Sequence, residues 1–203
     1  ISGLIEQEVG RIVLPHIYHK IGIDITISPM PGKRAQFEAT TGHRDGEIMR
    51  IFSYGEENSN MLRVPTPYYY LETMAFARTD SNVVLNSAEE LSKYIIVKVR
   101  GVKHTNNITA GFTDTVDLNS TRQIMMFVKK RRADIALTNT IDGLMALKEL
   151  NISKIKPISQ PLARLDLFHY LNEKNRDLLP RIDAAIMQMK ASGELAKLIT
   201  DAE

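Results

Sequence analysis

Cysteine and tryptophan are both absent from this chain of 203 residues. Without cysteine there is no disulfide framework and no thiolate metal site, and the absence fits an oxidising or a reducing compartment equally. Long apolar runs are missing as well: no stretch approaches the roughly 18 residues that cross a bilayer, and Ile1 opens the chain without the basic segment and apolar core of a secretion signal. An excess of charge of one sign is also lacking. A formal net charge of +2 describes a mildly basic surface, well short of the concentrated positive field that nucleic acid requires, so no nucleic-acid partner is expected. No GxGxxG, P-loop, GxSxG or HExxH motif occurs, which removes the common nucleotide, hydrolase and zinc signatures, and no cofactor is expected. What the chain does have is 43% hydrophobic residues, enough to build a substantial core in one large domain or two small lobes.

Apolar periodicity lays out the elements. Leu4, Ile5, Val9, Ile12, Val13, Ile17 and Ile21 recur at helical spacing, which predicts a helix over 4–20, bent at Pro15 and ended by Gly22. The stretch "IDITISPM" predicts a strand, "PGKRAQFEATTG" a helix with Pro31 near its start, and "DGEIMRI" a short strand buried on both faces. A polar loop, "SYGEENSNML", leads into "RVPTPYYYLETMAFAR", whose two prolines and β-branched and aromatic residues favour extended chain. Ser87 and Glu90 form a capping-box pattern ahead of a short helix. "YIIVKVR", "TVDL" and "DIALTN" then predict strands that alternate with the helices "HTNNITAGF", "STRQIMMFVKKRRA" (capped by Ser120) and "TIDGLMALKEL". A second proline-bearing extended stretch, "IKPISQPLARLDLFHYL", precedes two closing helices, "NRDLLPRIDAAIMQMKASG" and "GELAKLITDA".

This alternation predicts an α/β protein with mostly parallel sheets flanked by helices. The two extended connectors divide the chain into three blocks, and the last has helices but too few strands for a sheet of its own. It is therefore expected to return to the first block. Two lobes follow, residues 1–73 with 165–203 and residues 74–164, joined by a two-strand hinge.

Ligands of open parallel sheets sit beyond the carboxyl ends of the strands. There "DGEIMR" ends in Arg50, "YIIVKVR" in Arg100 and "DIALTN" in Thr138 and Asn139, while the first connector carries Tyr68, Tyr69 and Tyr70. A guanidinium grips carboxylate or phosphate in a bidentate fork, so these residues are expected to converge on a small anionic ligand. Each has a structural alternative: an arginine in a surface ion pair, a tyrosine in core packing, a Thr or Asn that caps the next helix. Of the tyrosines Tyr69 is the favoured ligand platform, with Tyr68 beside it. Glu47 is the acid nearest Arg50, although a two-residue period places the two out of phase. His16 and His19 share a helix face without a third ligand, so no metal site is expected. "KKRR" at 129–132 fits the C-terminal end of a helix, and the methionines of "MM" and "MQM" fit core positions.

Taken in order, "GIDITISPMPGKRA", "DGEIMRI", "LRVPTPYYY", "SAEELSKYIIVKVRG", "RRADIALTN" and "FHYLNEKNRDLLPRIDAAIMQMKASGEL" resemble the type II periplasmic solute-binding proteins, family 3, which include amino-acid receptors of ABC importers. The likeness spans nearly the whole chain. It implies two α/β lobes that close on a solute, periplasmic localisation, and a membrane permease or sensor kinase as partner. It also implies a strand ahead of the first helix, which is expected outside this chain or replaced by a first lobe of different construction. Two departures point away from an ordinary amino acid. Amino-acid receptors carry a carboxylate-binding arginine in a Thr-Pro-Glu-like loop, where this chain has "GEENSN", which leaves Arg50 to take that task. They carry an aspartate for the ammonium where this chain has Asn139. Binding without turnover is the leading expectation. The alternatives are an enzyme resembling cyclohexadienyl dehydratases, with Glu47 as general base, and the effector domain of a LysR-type regulator. Ligand identity and oligomeric state are left open.

Overall fold

The computed structural model describes residues 4–203. Helix α1 (Ile5–His19) buries Val9, Val13 and Ile17, the stripe predicted from their spacing, and runs through Pro15; its acidic first turn and histidine-bearing last turn suit the helix dipole. Gly22 follows at φ 73°, a backbone state that glycine adopts without steric cost. The expected strand over 23–30 does not form. Ile23, Ile25 and Ile27 are half-buried and alternate with exposed Asp24, Thr26 and Ser28. The two-residue period of a strand is thus kept, yet no ladder pairs with it among the described residues.

Helix α2 (Gly32–Thr40) starts after Pro31 as predicted. Strand β1 (Gly46–Ile51) buries Glu47 and Met49 and leaves the residues between them half-buried, so it is one-sided where burial on both faces was expected. The predicted loop after it contains a short helix α3 (Ser53–Glu57) and a strand β2 (Met61–Arg63), elements too brief to show a period. Both proline-bearing connectors carry long strands, β3 (Tyr69–Arg78) and, farther on, β8 (Ala163–Asn172). Both β1 and β2 pair antiparallel with β8. The approach is close at Gly46, where a Cβ would lie 2.2 Å from the Tyr170 carbonyl oxygen.

Beyond β3 the predicted alternation is present as β4 (Ile96–Val99), α4 (Lys103–Ile108), β5 (Thr115–Leu118), α5 (Thr121–Lys129), β6 (Ile135–Asn139), α6 (Thr140–Glu149) and β7 (Ile155–Pro157). Strand β4 pairs in parallel with both β5 and β6, the outcome of two helical crossovers. Strand β3 enters this sheet along β6 and β7 and runs antiparallel to both. Ala75, Leu85, Leu91, Ile96, Ile135 and Leu137 form its core. Ser120 caps α5 through its side-chain oxygen, as its position predicted. The capping box at Ser87 is displaced: Glu90 accepts from the Asn86 amide at 2.8 Å and sits in a single 3-10 turn. Helices α7 (Leu179–Ala191) and α8 (Glu194–Ala202) close the chain.

Contacts divide the chain into two compact units, the residues up to Tyr70 together with Leu165–Glu203, and Leu71–Arg164. No helix among the described residues is long and apolar enough to cross a membrane.

Candidate functional site

In the second unit the carboxyl ends of β4 and β6 lie side by side, because the strands are parallel and Lys98 is level with Leu137. Thr138 and Asn139 finish β6 and are 4% and 3% exposed. Asn139 Oδ1 accepts from the Ile141 amide at 2.9 Å and so caps α6, an interaction worth about 1 kcal/mol. The cap is therefore the Asn of the expected Thr or Asn caps, while Thr140 turns its hydroxyl to the Glu72 carboxylate at 3.4 Å. Capping uses only one end of the Asn139 carboxamide. Among the described residues neither its NH2 group nor the Thr138 hydroxyl has a protein hydrogen-bond partner. Neither atom is among the fully buried ones that lack a partner, so both reach solvent at the strand end, where a hydrogen-bonding guest could replace water.

Arg100 stands at the end of β4, exposed, with its guanidinium donating only to the Asp117 carbonyl oxygen at 3.2 Å. No carboxylate pairs with it among the described residues. Gly101 follows at φ 77° and turns the chain into α4. Behind this edge lies a residue that sequence reasoning missed: His104 is 5% exposed, and its Nδ1 is 2.7 Å from the hydroxyl of Thr73, the residue paired with Asn139. Burial pushes the His104 pKa down to about 4, so the ring is neutral at pH 7. The "HTNN" stretch shows only a weak helix, and nothing in it announces this contact.

In the first unit the structure brings Arg50 and Glu47 together. Arg50 donates to Glu47 Oε1 at 2.7 Å and to the Gly32 carbonyl at 3.2 Å, and its guanidinium lies 5.1 Å from the centre of the Tyr54 ring. Out-of-phase placement had separated the two residues. The register of β1 against β8 shifts between Glu47 and Arg50, and such a bulge cancels the phase difference. Tyr54 also donates to Glu47 Oε1, at 3.3 Å, and burial, then the Glu47 charge, raise the Tyr54 pKa. The Arg50 charge is thus already met by a buried carboxylate. His169, fully enclosed, donates from Nδ1 to the Glu47 carbonyl at 2.7 Å and accepts at Nε2 from the Tyr18 hydroxyl at 2.8 Å. Its pKa is lowered by burial to about 4.

The tyrosines occupy packing positions. Tyr68 is 2% exposed and donates to the Ile48 carbonyl at 2.7 Å, with its pKa raised by burial. Tyr69, the favoured platform, is also buried; its hydroxyl donates to Glu203 at 2.8 Å and its ring stacks on exposed Tyr70. The hydroxyl contacts with Ile48 and Glu203 explain why two neighbours that alternate in direction are both enclosed. His16 bonds the Ile12 carbonyl of its own helix and His19 faces Asp24 at 3.9 Å. Among the described residues no three His, Asp or Glu side chains gather as a metal site. In the basic run, Arg131 pairs with Asp80.

The two units, their element order and the pairing of their strands define a type II periplasmic-binding-protein-like α/β fold. The solved structures similar to it include a histidine kinase sensor domain with similarity to periplasmic binding proteins, which matches 97% of this chain and 84% of its own with TM-score 0.78 and 16% identity. An ancestral arginine-binding protein bound to arginine matches 95% and 86% with TM-score 0.77 and 18% identity. The substrate-binding protein of an amino acid ABC transporter matches 93% and 84% with TM-score 0.70 and 19% identity. In sequence, an uncharacterized protein of Shewanella oneidensis is 24% identical over 191 residues, 91% of this chain and 72% of that protein. No protein-family model matches.

Proposed function

We propose that this chain is a solute-binding module that captures a small carboxylate-bearing solute without turning it over. Its setting is the periplasm, and it hands the bound state to the permease of an ABC importer or to a sensor kinase. The observation that carries this reading is the pair of unpartnered donors, the Thr138 hydroxyl and the Asn139 NH2, at the end of β6, beside the strand end that carries Arg100. Donors of two kinds and a guanidinium without a carboxylate suit an anionic oxygen ligand. The neutrality of Asn139 and His104 adds no negative charge to oppose it. The similar structures of binding and sensor proteins support the same class of activity.

Thermal unfolding in the presence of carboxylate metabolites tests the reading. A cognate solute at 100 times its dissociation constant is expected to stabilise the protein by about 2.7 kcal/mol, seen as a rise in midpoint, and Arg100→Ala is expected to remove that rise. An equal rise in the variant would exclude Arg100 from recognition, and recovery of chemically altered solute would exclude binding without turnover.

A further inference from the structure

The charge of this chain is unevenly divided. Of its 26 Lys and Arg residues, 14 fall in the second unit, against 9 of its 24 Asp and Glu, so that unit holds a net +5 in a chain of +2. Much of the surplus sits at one edge of the sheet. Ile96 of β4 pairs with Thr115 of β5 and with Ile135 of β6, while antiparallel β3 sets Ala77 against Ile135 and Arg78 against Ile155. The amino ends of β4, β5, β6 and β7 therefore share an edge with the carboxyl end of β3, opposite the edge that carries Arg100, Thr138 and Asn139. Helix α5 arrives there with Lys129, Lys130, Arg131 and Arg132, all exposed. Exposed Lys154 adjoins them, its carbonyl accepting from the Thr79 amide at 2.9 Å.

The helix dipole accounts for little of this run. Only Lys129 belongs to the last turn of α5; Lys130 is the C-cap residue, and Arg131 and Arg132 lie past the helix. Arg131 sits at φ 58°, a backbone state in which glycine would be free of strain and an arginine is not. The Arg78 guanidinium braces the turn, donating to the Val128 and Ala133 carbonyls at 3.0 and 3.4 Å. The acids nearby are engaged locally: Asp80 meets Arg131 and Arg78, Glu90 takes Lys93 at 2.8 Å, and Asp134 accepts from the Ile95 amide at 3.0 Å. Asp114 lies across β4 from the run. Lys129, Lys130, Arg132 and Lys154 pair with no carboxylate among the described residues. Beside them two aliphatic side chains stand in the open, Val84 at 63% exposure and Ile95 at 45%. The Tyr94 hydroxyl bonds the Val84 amide and carbonyl at 3.2 and 3.1 Å and so ties that backbone to the start of β4.

We propose that this edge of the second unit is a docking surface for an anionic lipid bilayer, with Lys129, Lys130, Arg132 and Lys154 meeting headgroup phosphates and Val84 and Ile95 entering between the headgroups. Three of these four cations are lysines, flexible point charges that suit a diffuse anionic field better than the fixed geometry of a protein carboxylate. Exposed aliphatic side chains among cations suit the interface of a bilayer, which buries them without a shaped pocket. Docked in this way, the second unit directs its carboxyl edge away from the bilayer. The surface is thus separate from the proposed solute site and does not rest on the solute reading.

The test floats the full chain with vesicles of phosphatidylcholine alone and of phosphatidylcholine with one third phosphatidylglycerol, over a range of salt. Flotation is expected only with phosphatidylglycerol and is expected to fall as salt rises. Each cation is expected to contribute about fivefold, so Lys129→Gln with Lys130→Gln should weaken binding about 25-fold, and Arg132→Gln with Lys154→Gln by a similar factor. Val84→Thr with Ile95→Thr, which nearly keeps side-chain shape, should weaken it severalfold and leave the salt dependence in place. Arg176→Gln with Lys197→Gln, exposed cations of the first unit, should bind as the unaltered protein does. Every replaced side chain is exposed, and unfolding midpoints of the variants guard against a folding defect. No flotation with phosphatidylglycerol at low salt, or equal flotation with phosphatidylcholine alone, overturns the proposal. Flotation that survives undiminished in both cation variants overturns the assignment to this edge. Poly-L-glutamate serves as the competing probe: its capture through the same cations, without flotation, overturns the bilayer and gives the surface to an acidic protein segment.

Discussion

Lowering the pH from 7 to 4.5 is expected to remove several kcal/mol of conformational stability through two buried histidines. His104 and His169 are both buried, and burial holds each pKa near 4, against an ordinary value of about 6.5 in an unfolded chain. Between those values the unfolded chain binds more protons than the folded one, so stability rises with pH. The full contribution is present above about pH 6.5, is lost progressively as pH falls, and is gone near pH 4. A difference of about 2.5 pKa units corresponds to roughly 3 kcal/mol for each histidine, a large share of the 5–15 kcal/mol typical of a folded domain. Asp45, Asp80, Glu89 and Glu90 have lowered pKa values, so their stabilisation is present above their ordinary range near pH 4 and falls away below it. Between pH 6.5 and 4.5 both imidazoles titrate in the unfolded chain, while these four carboxylates keep their charge in the folded protein. Since His169 belongs to the first unit and His104 to the second, urea titrations at pH 7, 6 and 5 would show the loss in both. His104→Asn and His169→Asn should each flatten the pH dependence by about half. Curves parallel to that of the unaltered protein would contradict the assignment.

Gly143→Ala is expected to destabilise the second unit by about 2 kcal/mol, against the usual sign for a helix interior. In α6 alone, replacing glycine by alanine would gain about 1 kcal/mol of helix propensity. A Cβ at this position would lie 2.3 Å from both Cε2 and Cζ of Phe76, a ring with 0% exposure. Such an overlap forces the helix or the ring to move, and overpacking in a close-packed core costs about 1–3 kcal/mol or more. Steric cost wins. Since α6 begins at the Asn139 cap, a displaced helix would also disturb the donors at the end of β6, so solute-induced stabilisation should shrink in the same variant. Phe76→Leu should relieve part of the clash and make the double variant better than additive. A Gly143→Ala protein as stable as its parent would show that the ring has room to yield.

Much of this architecture was legible in the residues, and the parts that were not share a physical cause. Strand β5 and the run from α5 through β6 to α6 were read correctly because each carries a full apolar period and Ser120 marks the start of α5. Residues 23–28 carry the alternation of a strand just as clearly, but alternation reports burial, and a ladder also needs a neighbour. Helix α3 and strand β2 have five and three residues, too few to display any period. At the proposed site, Thr138, Asn139 and Arg100 stood out because strand ends are where polar residues interrupt an apolar run. The ion pair of Glu47 with Arg50 was hidden by a register shift, which leaves no trace in composition. His104 on Thr73 is a contact between residues distant in sequence and has no spacing rule to announce it.

The isoleucine-rich stretch after Gly22 sets a weak point in the first unit. Its side chains hold it against the protein body, while the amides of residues 24–28 make no backbone hydrogen bond among the described residues. Apolar contact resists wholesale detachment of the segment, but it does nothing to slow isotope exchange at those amides or to shield the peptide groups from a protease. An extended segment with open donors and acceptors is also a template on which another strand can zip. The stretch from Ile23 to Ser28 is therefore a place where this unit is open to backbone capture, and its isoleucines supply the apolar face that such a strand would cover.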